Sequence, residues 1–170
     1  MANESTDRCF APVVDAGTRV LILGSLPGQR SLSAGQYYAH PKNQFWRLIG
    51  AVIGADVHAR PYASRLTTLR AHGVGLWDSV AEARRPGSLD SALRDIAAND
   101  LGALVASLPG LRLIAFNGQK AHDIGMRTFR HLDPVATAAL PSSSPAYTLA
   151  FDQKAVAWCA ALRPAIGVTD

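Results

Sequence analysis

Cysteine is nearly absent from this 170-residue chain: Cys9 and Cys159 stand alone, near opposite ends. Two thiols so far apart in sequence cannot build a zinc or iron–sulfur site by themselves, and they read as reduced, incidental residues. Long apolar runs are absent too, so no membrane span is expected, and the opening "MANESTDRCF" lacks the basic-then-apolar layout of a signal peptide. The natural expectation is a cytoplasmic protein. Nucleotide-binding signatures are also missing. The glycines of "GSLPG" are followed neither by the lysine of a P-loop nor by the spacing of a dinucleotide fingerprint. No nucleophile elbow and no H-E-x-x-H pair occurs. These gaps exclude the commonest phosphotransfer, acyl-transfer and metal-dependent chemistries.

What is present is an ordinary globular composition, 48% apolar and 18% charged, long enough to bury a sizeable core as one domain. We expect a single domain over residues 1–170, with 1–17 as an N-terminal extension. Net charge is +4, and 14 of the 17 basic residues are arginine. That balance suits a polyanionic partner, although no dense basic block is found. Arg84, Arg85, Arg127, Arg130 and His131 are candidate phosphate contacts.

Periodicity organises the rest. Residues 19–23 read as a short buried strand between glycines. Phe45, Leu48, Ile49, Val52 and Ile53 recur at helical spacing behind Asn43, and Gly54 closes the helix. "GVGLWDSV" (73–80) is a second strand. Leu93, Ile96, Ala97, Leu101, Leu104 and Val105 predict a helix over 93–105. Residues 111–116 form a third strand with a helix from about Gly118, residues 134–140 a fourth strand, and 148–162 a last helix. Strands alternating with helices point to a mainly parallel sheet covered on both faces. Right-handed crossovers then set every strand's C-terminal end on one edge, where open α/β sheets bind ligands.

Three unusual segments converge on that edge: residues 24–46, "FNGQKA", and "LPSSSPAYT". In the first, the adjacent Tyr37 and Tyr38 place one ring inward and one toward the cleft; an aromatic face there can stack on a base. Asn43 is a helix cap by residue type and also a side chain able to polarise a water molecule. Asn117 ends its strand with an amide, which offers donor and acceptor to a base edge or serves a turn before Gly118. The serines between prolines can grip phosphates. His40 reads as a loop-packing residue. Asp78 is either a strand-end cap or a second group able to activate or position water.

Taken together, "GSLPGxxSLxxxQYYAHPxNxFW", "GLWD", "FNG" and "LPSSSPA", in that order, resemble the uracil-DNA glycosylase superfamily, closest to its hypoxanthine-DNA (deoxyinosine) glycosylase branch. The resemblance runs from about Val20 to Trp158. It implies a three-layer α/β/α sandwich on a four-stranded parallel sheet, and a monofunctional enzyme that flips out a deaminated base and hydrolyses its N-glycosidic bond. No metal or organic cofactor is implied; the partner is single- or double-stranded DNA carrying the damaged base, and a monomer is expected. By resemblance Tyr38 stacks on the base, Gly24, Ser25 and Leu26 with Asn117 line its pocket, and Pro27, Gly28, Ser142, Ser143, Ser144 and Pro145 meet the DNA backbone or the space the base vacates. The mismatch-specific uracil enzymes carry a water-positioning asparagine where this chain has Leu26. The deoxyinosine branch uses the asparagine of H-P-x-N, here Asn43, so the catalytic expectation is Asn43, with Asp78 beside it. The competing readings are a uracil or mismatch-specific glycosylase and a non-catalytic nucleic-acid-binding module on the same scaffold.

Overall fold

The computed structural model describes residues 5–129 and 135–168. Arg130, His131 and Pro134, named above, lie outside the described residues. A four-stranded parallel sheet forms the centre, built from β2 (Val20–Gly24), β3 (Val74–Asp78), β6 (Leu113–Asn117) and β7 (Ala136–Leu140), in the order β3-β2-β6-β7. All five residues of β2 are buried, which is why it reads as one continuous apolar run: it is an inner strand covered on both faces. Its side chains alternate. Val20 and Ile22 join the core beneath α2 (Phe45–Ile53), α3 (Tyr62–Ala71) and α6 (Phe151–Ile166), where Leu48, Leu69 and Trp158 are wholly buried. Leu21 and Leu23 join the opposite core with Phe116, Leu101 of α4 (Leu101–Ala106) and Ala121 of α5 (Gln119–Thr128). This is the expected three-layer sandwich.

The α2 prediction holds along the apolar stripe, with the helix starting at Phe45 behind Gln44, two residues after Asn43. Phe45, Leu48, Ile49, Val52 and Ile53 are all buried, and Gly54 ends the helix at φ 70°, a left-handed conformation that glycine adopts without strain. The α5 helix packs so tightly on β6 that a Cβ at Gly125 would lie 2.1 Å from the Phe116 ring. The last helix begins later than expected and runs on to Ile166, with Trp158 and Leu162 buried and Ala155 and Cys159 only half-buried.

The predicted helix over 93–105 is not formed. Arg94–Ala98 is strand β5, and only Leu101–Ala106 is helical. The apolar residues at 3.6-residue spacing straddle a strand–helix junction. The break is Asn99–Asp100: the Asn99 amide donates to the carbonyls of Asp78 and Val80, and Asp100 caps α4 by accepting from Ala103 N at 3.0 Å. Likewise 73–80 is two elements, because Ser79 turns the chain out of the parallel sheet into β4 (Val80–Arg84). Strand β5 pairs antiparallel with β4, and β1 (Thr6–Arg8) pairs with β4's other side, giving a second, three-stranded sheet. The stretch expected as an N-terminal extension thus supplies an edge strand, and Val13 bridges to Leu76. Two helices had no sequence prediction. They are α1 (Gln29–Ala34), six residues long, and α3, which buries only Thr68 and Leu69.

The second sheet also overturns one phosphate candidate. The Arg85 side chain is wholly buried, donating to the Pro27 carbonyl, the Ser88 carbonyl and the Asp7 carboxylate. It is an internal strut and not a surface cation; Arg84 beside it is exposed and pairs loosely with Asp95 at 3.8 Å.

Candidate active site

The C-terminal ends of β2, β3, β6 and β7 open into one cleft of about 490 Å3, within the range of about 300–1,000 Å3 usual for small-molecule sites. Parallel pairing in register puts Gly24 level with Asp78, and Asn117 level with Leu140, so the three unusual segments meet by construction.

Tyr38 forms one wall. Its φ is +53°, a left-handed conformation that is strained for a bulky residue and, where it persists, is held by surrounding structure. Here the holding structure is aromatic. The Tyr38 ring stacks on Phe45 at 3.9 Å between centroids and 15° between planes, and Phe45 is itself packed edge-on against Trp46 and Trp158. The ring is half-buried and lines the cleft, so it is a rigid aromatic platform. Tyr37 does the anchoring: it is 4% exposed, donates from its hydroxyl to Ala11 O at 2.8 Å, and accepts the Trp46 indole N–H at its carbonyl.

At the hydroxyl end of the Tyr38 ring lies Asp78. A Cβ added to Gly24 would come within 2.6 Å of Asp78 Oδ1 and 3.0 Å of the Tyr38 oxygen, so the glycine is what lets these two groups share the pocket floor. Asp78 is 3% exposed, and among the described residues neither its Oδ2 nor the Tyr38 hydroxyl has a hydrogen-bond partner. Burial, then the negative charge of nearby Asp90, pushes the Asp78 carboxyl up to about 7, against the opposing pull of Arg85. Burial and the Asp78 charge raise the Tyr38 phenol as well, against the opposing pull of the nearby Asn117 amide. Asp90 starts a short 3-10 helix (Asp90–Ala92), and it accepts the Ser25 hydroxyl at 2.6 Å. Ser25 and the Arg85–Pro27 contact together fix the 24–28 loop over the pocket.

The two asparagines are both tied to backbone. Asn43 Oδ1 accepts Phe45 N–H at 2.9 Å, setting the start of α2, and an amide oxygen retains a second lone pair for another donor. Asn117 exchanges two bonds with Ser143: its Oδ1 accepts Ser143 N at 2.9 Å, and its Nδ2 donates to Ser143 Oγ at 2.8 Å. One amide hydrogen of Asn117 is left over, and its residue lines the cleft. Ser143 is consequently buried. Ser142 and Ser144 each accept a backbone N–H, from Ser144 and Ala146, which leaves both hydroxyl hydrogens free to donate. Gly118, at φ +98°, lets this loop approach: a Cβ there would meet Ser142 Cβ at 3.2 Å.

Every residue expected in the site by sequence lies on this cleft, but with unequal exposure of side chains. Leu26 contributes backbone, because its side chain packs with Val80, Leu93 and Ile124 beneath the second sheet. Sequence reasoning missed Asp90, whose partners Ser25 and Arg85 are 65 and 5 residues away in sequence. Behind the serine loop, the Gln44 backbone N–H donates to Ser143 O.

A family description of the uracil DNA glycosylase superfamily matches residues 11–163. A hypoxanthine DNA glycosylase from Methanosarcina acetivorans is 43% identical over 141 residues, 82% of this chain and 87% of that protein. One from Methanosarcina barkeri is 44% identical over 112 residues, 66% of this chain and 71% of that one. Among solved structures, the solution NMR structure of a Methanosarcina acetivorans protein provisionally described as a uracil DNA glycosylase superposes with a TM-score of 0.84 at 39% identity, covering 94% of this chain and 98% of that one.

Proposed function

Because this chain belongs to the uracil DNA glycosylase superfamily, we propose that it is a monofunctional DNA glycosylase removing a deaminated base, hypoxanthine foremost, to leave an abasic site. The observation that carries the reading is the floor of the cleft: an aromatic platform at positive φ with an unpartnered, near-neutral carboxyl at its edge, in a chain so similar to named hypoxanthine DNA glycosylases. Chemistry on a base inside a duplex requires the nucleotide to be turned out of the stack. The extruded purine lies on the Tyr38 ring with its polar edge toward Asp78.

Hydrolysis breaks the N9–C1′ bond, and both electrons leave with the base. The protonated form of Asp78, about half of the population near pH 7, donates to the departing purine and so neutralises the developing charge. Asn43 holds a water on the free lone pair of its Oδ1; the water oxygen adds to C1′ and loses one proton to solvent, and Asp78 takes up a proton from solvent to regain its starting form. Fixed dipoles aimed at developing charge are commonly the largest contribution in such sites. The free hydroxyl hydrogens of Ser142 and Ser144 donate to backbone phosphates. The enzyme acts as a monomer on DNA in the cytoplasm, since one flipped base needs one pocket.

Strand scission after alkali treatment tests this. Duplexes with a single deoxyinosine or deoxyuridine are incubated with wild-type protein and with Asn43→Ala. Wild type is expected to cut at deoxyinosine, and the variant to lose about 100-fold or more of that activity. Equal activity of the two proteins removes Asn43 from the chemistry. Deoxyuridine cut in strong preference to deoxyinosine favours the uracil reading instead, against which stands Leu26, whose core-packed side chain cannot order a water.

A further inference from the structure

Resting on the glycosylase reading, we infer that Asp90 sets the base specificity: its carboxylate accepts the N1–H that hypoxanthine carries and adenine lacks. Deamination of adenine turns N1 from an acceptor into a donor, and C6 gains a carbonyl oxygen where an amino donor stood. A pocket that tells the two bases apart needs an acceptor opposite N1 and a donor opposite the C6 substituent.

The cleft holds that pair. Asp90 and Asp78 both line it; the Asp90 side chain is 45% exposed, while Asp78 lies buried at the floor with its Oδ2 unpartnered among the described residues. The two oxygens of Asp90 are used unequally. Oδ1 accepts the Ser25 hydroxyl at 2.6 Å and stands 3.9 Å from Arg85 Nη1. Oδ2 enters no hydrogen bond among the described residues. The backbone beneath is pinned as well, since Asp90 O accepts Leu93 N–H at 3.2 Å in the short 3-10 turn. A bound base therefore meets an acceptor that is already ordered.

The two acids also differ in the proton they hold. Burial raises Asp90, but the Ser25 hydroxyl, Arg85 and Lys120 all pull it back toward its anion. Asp78 has Arg85 alone on that side, and burial with the Asp90 charge pushes it up to about 7. Asp90 is thus the acceptor and Asp78 the donor, and an N–H next to a carbonyl is their complement. Adenine reverses both partners: its N1 lone pair would face the Asp90 anion and its amino group the Asp78 hydroxyl. Sites built to hydrogen-bond one substrate reject its close analogue because buried polar groups are then left unpaired. Guanine shares the N1–H and the carbonyl; its intact pair with cytosine withholds it, because unpairing is cheapest for a mismatched base.

The test uses single strands, which remove the cost of opening a pair. Each carries one deoxyinosine, one 1-methyldeoxyinosine or one deoxyadenosine in a thymidine tract. Affinity is read by fluorescence anisotropy in the Asn43→Ala background, and single-turnover excision in proteins that retain Asn43. With Asp90 in place, deoxyinosine should be preferred over the other two by about 10- to 100-fold, the worth of one hydrogen bond to a charged group. Asp90→Asn keeps an oxygen for the Ser25 hydroxyl and can turn an N–H toward N1; it and Asp90→Ala should both erase most of that preference. Ser25→Ala loosens the 24–28 loop and leaves the carboxylate, so it should weaken binding to all three strands alike. A preference that survives both Asp90 variants, or no preference with Asp90 in place, overturns the inference. So does a preference lost equally in Ser25→Ala, which would make Asp90 a loop anchor only. Selective binding of deoxyinosine through Asp90 with no excision by the wild type upholds the inference and refutes the hydrolytic reading.

Discussion

Replacing Asp78 with asparagine should make the protein more stable and less active, and the size of the first effect follows from the structure. The Asp78 carboxyl is 3% exposed and raised from 3.8 to about 7, chiefly by burial. In the unfolded chain it titrates at the ordinary value, so the native state binds the proton more tightly between about pH 4 and about pH 7. The native state is therefore unpenalised below about pH 4 and loses stability as pH rises through that window, levelling off above it. A difference of about 3 pH units is worth about 4 kcal/mol. Asparagine does not titrate. The gap in unfolding free energy between Asp78→Asn and wild type should widen by about 4 kcal/mol from pH 4 to pH 8 in urea titrations. Asp90 is raised in the same sense, but it is present in both proteins, and the comparison isolates Asp78. Excision should move the opposite way, because the variant has no proton to give the departing base. Stability curves that run parallel across this pH range would refute the buried, unpaired carboxyl; unchanged excision would refute its role in the chemistry.

Gly24→Ala should disable the pocket without unfolding the protein, since its Cβ would intrude to 2.6 Å of Asp78 Oδ1 and 3.0 Å of the Tyr38 oxygen; a displacement of this kind lowers the single-turnover excision rate by about 100-fold. Tyr38→Phe keeps the platform and removes a buried hydroxyl without a partner, so thermal unfolding should show equal or greater stability, by about 1 kcal/mol. Tyr38→Ala loses stacking on the base, and lesion binding should weaken by about 1–3 kcal/mol as read by fluorescence anisotropy.

The parts of this fold that were legible in sequence are those where one physical signal dominates. Residues 20–23 are apolar without interruption because β2 is covered on both faces, and 45–53 show an unbroken helical stripe ended by Gly54. The ligand edge followed from topology alone, before any side chain was placed. The second sheet was not legible, because β5 has every residue exposed and its few apolar positions happen to continue the spacing of α4. Arg85 shows the same limit for charge: its burial depends on Asp7 and on two carbonyls, one of them 58 residues away, which no local pattern encodes. In the site, Asn43 and Asn117 each presented two readings in sequence, structural and chemical. The structure supplies the structural half of both, with the α2 start for one and the Ser143 clasp for the other, and leaves each amide a free valence at the cleft. Asp78 is named from its place at a strand end; its raised titration comes from burial and then from the charge of Asp90, and neither is visible along the chain.

The central claim is that this cleft releases hypoxanthine from DNA by hydrolysis. The most direct measurement is chromatographic detection of the free base after incubation with a duplex bearing one deoxyinosine, counted against the alkali-labile sites formed in the same sample. The account predicts free hypoxanthine and abasic sites in equal amounts, both lost in Asn43→Ala. Lesion binding with no free base and no abasic site would contradict it and leave the protein a binding module on this scaffold.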